Sequence, residues 1–220
     1  MSIRVVIADD HPVVRDGLRL TIERSGKDIV VVGEASDGME VLAMAKGRTT
    51  PADVFILDII MPNLNGIETA RELLKESPAA KVIILSLHDT KGMVEEALAA
   101  GARGYLTKEM ATRNVVEAVT EVHAGRYYLC PMIAHFVVEA GLMVKKVSRK
   151  RGGAPVTLTG QERKVLQLIA EGHSNKEIAA MLDLSVSTIH NHRNSVMAKL
   201  NLHKQADLVH YAIKAGIAKL

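Results

Sequence analysis

The chain has 220 residues, room for one large domain or two ordinary ones, and its 48% hydrophobic and 24% charged content excludes a disordered polypeptide. One cysteine, Cys130, excludes an internal disulfide, and the start MSIRVVIADD lacks the long apolar run of a secretory leader, so a cytoplasmic location is expected. The net charge of +3 is uneven: residues 1–142 carry 15 basic and 20 acidic side chains, 143–156 carry 5 basic and none acidic, and 157–220 carry 8 basic and 5 acidic. An acidic first part and a basic last part suggest two jobs, the second on a polyanion.

Short apolar runs and helical patterns alternate through the first 125 residues. The runs IRVVIA (3–8), IVVVGEA (29–35), VFILD (54–58), KVIILS (81–86) and GYL (104–106) are too short for helices and read as strands. In the first helical stretch Pro12 suits the opening turn, and Val14, Leu18 and Ile22 recur every four residues. Further helices are expected near 38–46, 64–76, 92–100 and 110–124. Strands apolar on both faces predict a five-stranded parallel sheet with helices on both faces, and the order expected for it is the flavodoxin-like 2-1-3-4-5. A linker follows over 125–156, with a short helix near 131–141 opened by Pro131 and a basic exposed stretch at 143–156. The most apolar run there, MIAHFVVEAGLMV, contains His135 and Glu139 and is too short to span a bilayer, so no membrane partner is expected.

Residues 157–220 hold no strand pattern. TGQE (159–162) and SNKE (174–177) are capping boxes, and Gly172 and Asn201 follow helical runs where a left-handed residue is wanted. Four helices are expected at 160–171, 175–182, 186–200 and 204–215. The short gaps between them make the second and third a helix-turn-helix; a plain four-helix bundle is the competing reading.

In a doubly wound sheet, chemistry sits beyond the C-terminal strand ends. Those ends supply Asp9 and Asp10 after strand 1, Asp58 on strand 3, Ser86 on strand 4 and Lys108 after strand 5. Three converging carboxylates repel, and oxygen-only ligands suit Mg²⁺. No G-x-G-x-x-G follows strand 1, which argues against a dinucleotide. One Asp can act as nucleophile toward a phosphoryl group, with the Lys ammonium and Ser hydroxyl stabilising its oxygens. Taken singly, each Asp could equally be a turn former.

IADDHPVVRDGL (7–18), LDIIMPNLNG (57–66), ILSLHD (84–89) and GARGYLTK (101–108) resemble the receiver domain of bacterial two-component response regulators, over about residues 1–124. The resemblance implies Asp58 as phosphoacceptor. It also implies Asp9, Asp10, Asp58 and the Ile60 backbone carbonyl as Mg²⁺ ligands, Ser86 and Lys108 as the phosphoryl-sensing pair, and Tyr105 as an aromatic switch that follows Ser86. Ile60 and His88 stand where the family tunes phosphoryl lifetime. In the loop MPNLNG, Pro62 is expected to fix a turn and Gly66 to supply a positive φ beside Asp58.

LTGQERKVLQLIAEGHSNKEIAAMLDLSVSTIHNHRNSVMAKLNL (158–202) resembles the LuxR-type helix-turn-helix of the NarL/FixJ group. Helix 186–200 should bury Ile189, Val196 and Leu200 and present Ser187, His190, Asn191, Asn194 and Ala198. Asparagine can bind adenine bidentately, so Asn191 and Asn194 are the specificity candidates. Lys176, Arg193, Lys199 and Thr188, with Ser174 and Ser185 at helix starts, are candidates for phosphate contacts. His190 stands where the family usually has Lys, and Gln205 and Ala206 replace its usual Arg and Thr. His190 and His192, two apart on a helix, are about 200° apart and cannot chelate one metal. Leu208, Val209, Ala212 and Ile213 make one stripe on the last helix, for packing or for pairing two copies.

The expected function is that of a response regulator and not an enzyme, beyond its own phosphorylation from small donors and its dephosphorylation. A sensor histidine kinase phosphorylates Asp58, the chain becomes a homodimer, and it binds double-stranded promoter DNA, with RNA polymerase as a further candidate partner. Two alternatives stay open: an Asp-dependent phosphohydrolase, which Ile60 disfavours by occupying the usual place of a second acid, and a DNA-binding protein whose receiver works unphosphorylated.

Overall fold

A computed structural model describes residues 2–47, 51–87, 90–130, 133, 158–202 and 204–218. The expected helix near 131–141 (Ile133 apart), the basic stretch 143–156 and His88 lie outside the described residues. The chain divides into two compact units.

The five Val/Ile/Leu runs of the first unit are its strands: β1 (Ile3–Ala8), β2 (Ile29–Ala35), β3 (Val54–Asp58), β4 (Lys81–Ser86) and β5 (Gly104–Thr107). Between them run α1 (Pro12–Arg24), α2 (Gly38–Gly47), α3 (Gly66–Glu76), α4 (Lys91–Ala99) and α5 (Lys108–His123). The sheet is parallel in the order β2-β1-β3-β4-β5, and β3 is buried along its whole length, as a strand covered on both faces must be. One strand exceeds the expected five: β6 (Tyr128–Leu129) extends the sheet parallel to β5, pairing Tyr128 with Gly104 and Leu129 with Tyr105. Two residues give no alternation to read, though Tyr-Tyr-Leu is β-prone.

At the N-terminal edge of β1 and β3, Arg4 forks onto Asp53, with Nη2 2.8 Å from Oδ1 and Nε 3.0 Å from Oδ2. Order reverses between β1 and β3, and the crevice beyond their C-terminal ends receives the loops after Ala8 and Asp58.

The loop after Asp58 corrects one expectation. Gly66 does not have positive φ; Asn63 does, at 61°. Gly66 is needed for space, because a Cβ there would lie 2.0 Å from the Asp58 carbonyl oxygen. The Gly66 N–H donates to Ile59 O at 2.9 Å, and Asn65 caps α3 by accepting from Glu68 N at 2.9 Å. The loop thus folds back tightly on the backbone that carries Asp58.

The second unit has α6 (Gly160–Ala170), α7 (Asn175–Met181), α8 (Val186–Leu200) and α9 (Gln205–Lys214). Both capping boxes form, Thr159 with Glu162 and Ser174 with Glu177. Ser185 caps α8, Asn201 ends it at φ 53°, and Gly172 has φ 91°. Helix α6 serves two cores. Its Val165, Leu168 and Ile169 pack with Ile178, Ala179 and Ile189 of the α7–α8 pair, and Leu166 packs with Val196, Leu208 and Ala212.

Gly66→Ala is expected to destabilise the first unit by about 1–3 kcal/mol through overpacking, whereas Gly17→Ala, with nothing within 4 Å, should be neutral or stabilising. Urea denaturation of both variants checks this; equal stability would refute the close-approach account.

Candidate phosphoryl pocket and nucleic-acid interface

The strand ends bring the expected acidic residues together. Asp9 and Asp58 are buried, Asp10 is half-buried, and Lys108 Nζ lies 2.6 Å from Asp9 Oδ2 and 2.8 Å from Asp58 Oδ2. Lys108 is the first residue of α5, so the helix start aims its ammonium into the crevice. Burial first, and then the Asp9 charge, push the Asp58 carboxyl up from 3.8 to about 6, although Lys108 pulls the other way. Burial works to lower the Lys108 ammonium, but Asp58 and Asp9 outweigh it and hold it above its ordinary value.

Two residues of the pocket were not singled out from sequence. His11 Nδ1 lies 3.0 Å from Asp9 Oδ1 and 2.8 Å from Asp10 Oδ1. Arg15, one helical turn on, donates from Nη1 to the Asp9 carbonyl at 2.6 Å and from Nε to Glu34 at 3.3 Å, which ties the Asp9 loop to β2. Both lie inside the quoted motif IADDHPVVRDGL, where spacing alone assigns them to an exposed helix start. Asp9, Asp10, His11 and Asp58 each offer a ligand atom, all within 4.8 Å of one another. Three carboxylates in this set fit a hard divalent cation. Ile60 is half-buried in the loop after Asp58. Ser86 is buried at the end of β4, and Tyr105 is wholly buried, in register with Ile84.

On α8, Ile189 and Val196 are buried and Leu200 half-buried, while Ser187, His190, Asn191, Asn194 and Ala198 are exposed along one side. His192 is half-buried, so the two histidines diverge. Lys176 is exposed on α7. Ser187 Oγ and Thr188 Oγ1 both share a hydrogen bond with Ser185 Oγ, at 2.8 and 2.7 Å. Arg193 Nη2 donates to Gln205 Oε1 at 3.0 Å, which gives Gln205 a role within the unit. Lys199 carries an added duty, since its Nζ donates to Glu162 Oε2 at 2.7 Å.

Glu162 appears in the sequence as a capping residue, and the structure gives it a second function. It is buried, accepts from Ser195 Oγ at 2.7 Å and from Thr159 N at 2.7 Å, and so joins the start of α6 to α8. Burial alone would raise its carboxyl, but Lys199, Ser195 and Thr159 outweigh this and hold it at about 2.

Residues 5–120 match the response regulator receiver domain, and residues 156–212 match the bacterial regulatory proteins of the luxR family. The response regulator UvrY of Escherichia coli K12 is 32% identical over 98% of this chain and 95% of its own. The chain belongs to the two-component response regulators of the NarL/FixJ type. As a response regulator it pairs a receiver with a LuxR-type DNA-binding unit that serves transcription regulation. Among solved structures, this regulator is similar to RcsB from Salmonella enterica serovar Typhimurium bound to promoter P1flhDC in the presence of phosphomimetic BeF3− (TM-score 0.66, 26% identity, covering 96% of this chain and 98% of that one). It is also similar to a structure of two RcsB dimers bound to two parallel DNAs (TM-score 0.57, 26% identity, 96% and 98% covered).

Two outcomes are expected of this regulator. Because the folded-state value of Asp58 is raised, folding is favoured below about pH 3.8 and loses that contribution as pH rises through about 6. Asp58→Asn should therefore stabilise the cation-free receiver unit at pH 7.5 by up to about 3 kcal/mol, and the gain should vanish near pH 4 in urea melts. Glu162 has the opposite sign: its contribution is present above about pH 4.5 and is lost as pH falls through about 2. Glu162→Gln keeps a capping box but loses the ion pair, and should cost the DNA-binding unit about 2–3 kcal/mol at pH 7; an unchanged melt would refute the pinning of α8.

Proposed function

We propose that Asp58 accepts a phosphoryl group from a sensor histidine kinase, and that phosphorylation controls dimerisation and sequence-specific binding to promoter DNA. The observation that carries this is Lys108 Nζ, set 2.6 Å from Asp9 and 2.8 Å from Asp58 inside a buried carboxylate cluster. Lys108 holds Oδ2 of Asp58, which leaves Oδ1 as the nucleophile. A bond forms from that oxygen to phosphorus as the donor's P–N or P–O bond breaks, and the donor's imidazole or carboxylate leaves with the electron pair. Lys108 then neutralises a phosphoryl oxygen, and the Ser86 hydroxyl donates to another. Asp9, Asp10, Asp58 and the Ile60 carbonyl would hold Mg²⁺, which supplies charge neutralisation when bound. Tyr105 takes space vacated as Ser86 moves, changing the face made by α4, β5 and α5. The same chemistry lets small phosphodonors serve in place of the kinase, and lets water remove the group.

In the DNA-binding unit, His190, Asn191 and Asn194 read base edges, with Ser187 beside them. Lys176, Arg193 and Thr188 contact phosphates, while Lys199 acts first by holding α8 to Glu162. The last helix divides: Leu208 and Ala212 are core, so pairing of two copies falls to the half-buried Val209 and Ile213. The proposed boundaries are 1–124 for the receiver, 125–156 for the linker and 157–220 for the reading domain. Among the described residues no helix is long and apolar enough to cross a membrane, and action in the cytoplasm suits the proposed partners.

The test is acetyl phosphate with Mg²⁺. Wild type should gain a phosphoryl group visible by intact-mass spectrometry, shift toward dimer and bind selected operator DNA at least tenfold more tightly; Asp58→Asn should do none of these. Identical affinity and oligomeric state with and without the donor would overturn phosphorylation control.

A further inference from the structure

Thr107 ends β5 and directly precedes Lys108. Its side-chain hydroxyl is buried and has no hydrogen-bond partner among the described residues. It also occupies the N-cap of α5, with extended backbone at φ −78° and ψ 147°, yet makes no capping bond. A threonine there ordinarily accepts from an N–H two or three residues on, as Thr159 does at α6. A buried hydroxyl that forgoes its local cap costs free energy and calls for a reason.

The register across β4 and β5 supplies one. Ser86 pairs with Thr107, as Ile84 pairs with Tyr105. Register partners on parallel strands put their side chains on the same face of the sheet, and such strands run about 4.8 Å apart. The two hydroxyls are therefore neighbours on the face that also carries Tyr105, one residue from the lysine that bridges Asp9 and Asp58.

We propose that Thr107 is a positioning residue of the phosphoryl response, its hydroxyl donating to Ser86 Oγ when Ser86 turns its own hydrogen toward a phosphoryl oxygen on Asp58. This rests on the phosphoacceptor reading of Asp58. The Ser86 oxygen donates and accepts at once, so the two bonds polarise and strengthen each other. Among the described residues the resting receiver leaves this hydroxyl unsatisfied, and the phosphorylated receiver satisfies it. That difference between the two states biases the equilibrium toward the active one.

The experiment titrates the full-length chain with beryllofluoride at saturating Mg²⁺, read by ¹⁹F NMR of the bound species, for wild type, Thr107→Val, Thr107→Ser and both Thr107 variants on a Ser86→Ala background. Thr107→Val, which keeps the shape, should weaken beryllofluoride binding about fivefold, the worth of one neutral hydrogen bond, while the melting temperature of the untreated chain stays level or rises. Thr107→Ser should bind as wild type. On the Ser86→Ala background the Thr107→Val change should have no effect, because the acceptor is gone. Wild-type binding by Thr107→Val, weak binding by Thr107→Ser, or an undiminished loss on the Ser86→Ala background would each overturn the inference and leave Asp58 as it stands. A lower melting temperature for untreated Thr107→Val would overturn it too, by showing that the hydroxyl has a resting partner. Failure of wild type to bind beryllofluoride would instead overturn the phosphoacceptor reading, and the inference with it.

Discussion

Asp9 and Asp58 sit at the ends of adjacent strands, out of water and both able to carry negative charge, and Lys108 comes between them. Much of the receiver unit can be understood as the means of keeping these three groups in place. Parallel strands with helical crossovers put β1 and β3 side by side and bring the start of α5 to their ends. Arg15 fixes the carbonyl of Asp9 from α1, and Gly66 lets the start of α3 pass close to the carbonyl of Asp58. The cost is an Asp58 carboxyl that resists ionisation in the resting protein. Under the proposed function, a site held in this electrostatic conflict would gain by taking up a cation or by turning a carboxylate into a phosphorylated group that the lysine can meet.

The fold was legible because its signals are local. Strands covered on both faces are apolar at every position, and capping boxes mark α6 and α7 in four residues each. The acidic set was legible because each member falls at a strand end, where topology brings it to one place. What escaped depends on distance in three dimensions. Gly66 was recognised as a necessary glycine for the wrong reason, since sequence does not separate a positive φ from a close approach to Asp58. Strand β6 is too short to show a period. The α8 partners of Glu162 lie 33 and 37 residues away, beyond any helical spacing.

The exposed face of α8, the proposed reading face, departs from a simple basic surface. Its outward residues His190, Asn191 and Asn194 carry amide or imidazole groups, while Arg193 is bonded to Gln205 and Lys199 to Glu162. The cationic side chains of this helix are thus partly committed to the unit's own architecture. In the proposed interface, discrimination between bases would then weigh more against phosphate attraction, and operator preference would follow from the geometry of two asparagines.

Glu162 has a consequence for how such a protein can be controlled. One carboxylate holds the first turn of α6 and two residues of α8. Turning helix α8 would tear a part-buried ion pair from the cap of another helix. In the proposed function the unit works like a key cut once, its teeth held in place by Glu162. The proposed control by phosphorylation would then act on whether such a key reaches the lock and on how many keys are turned together.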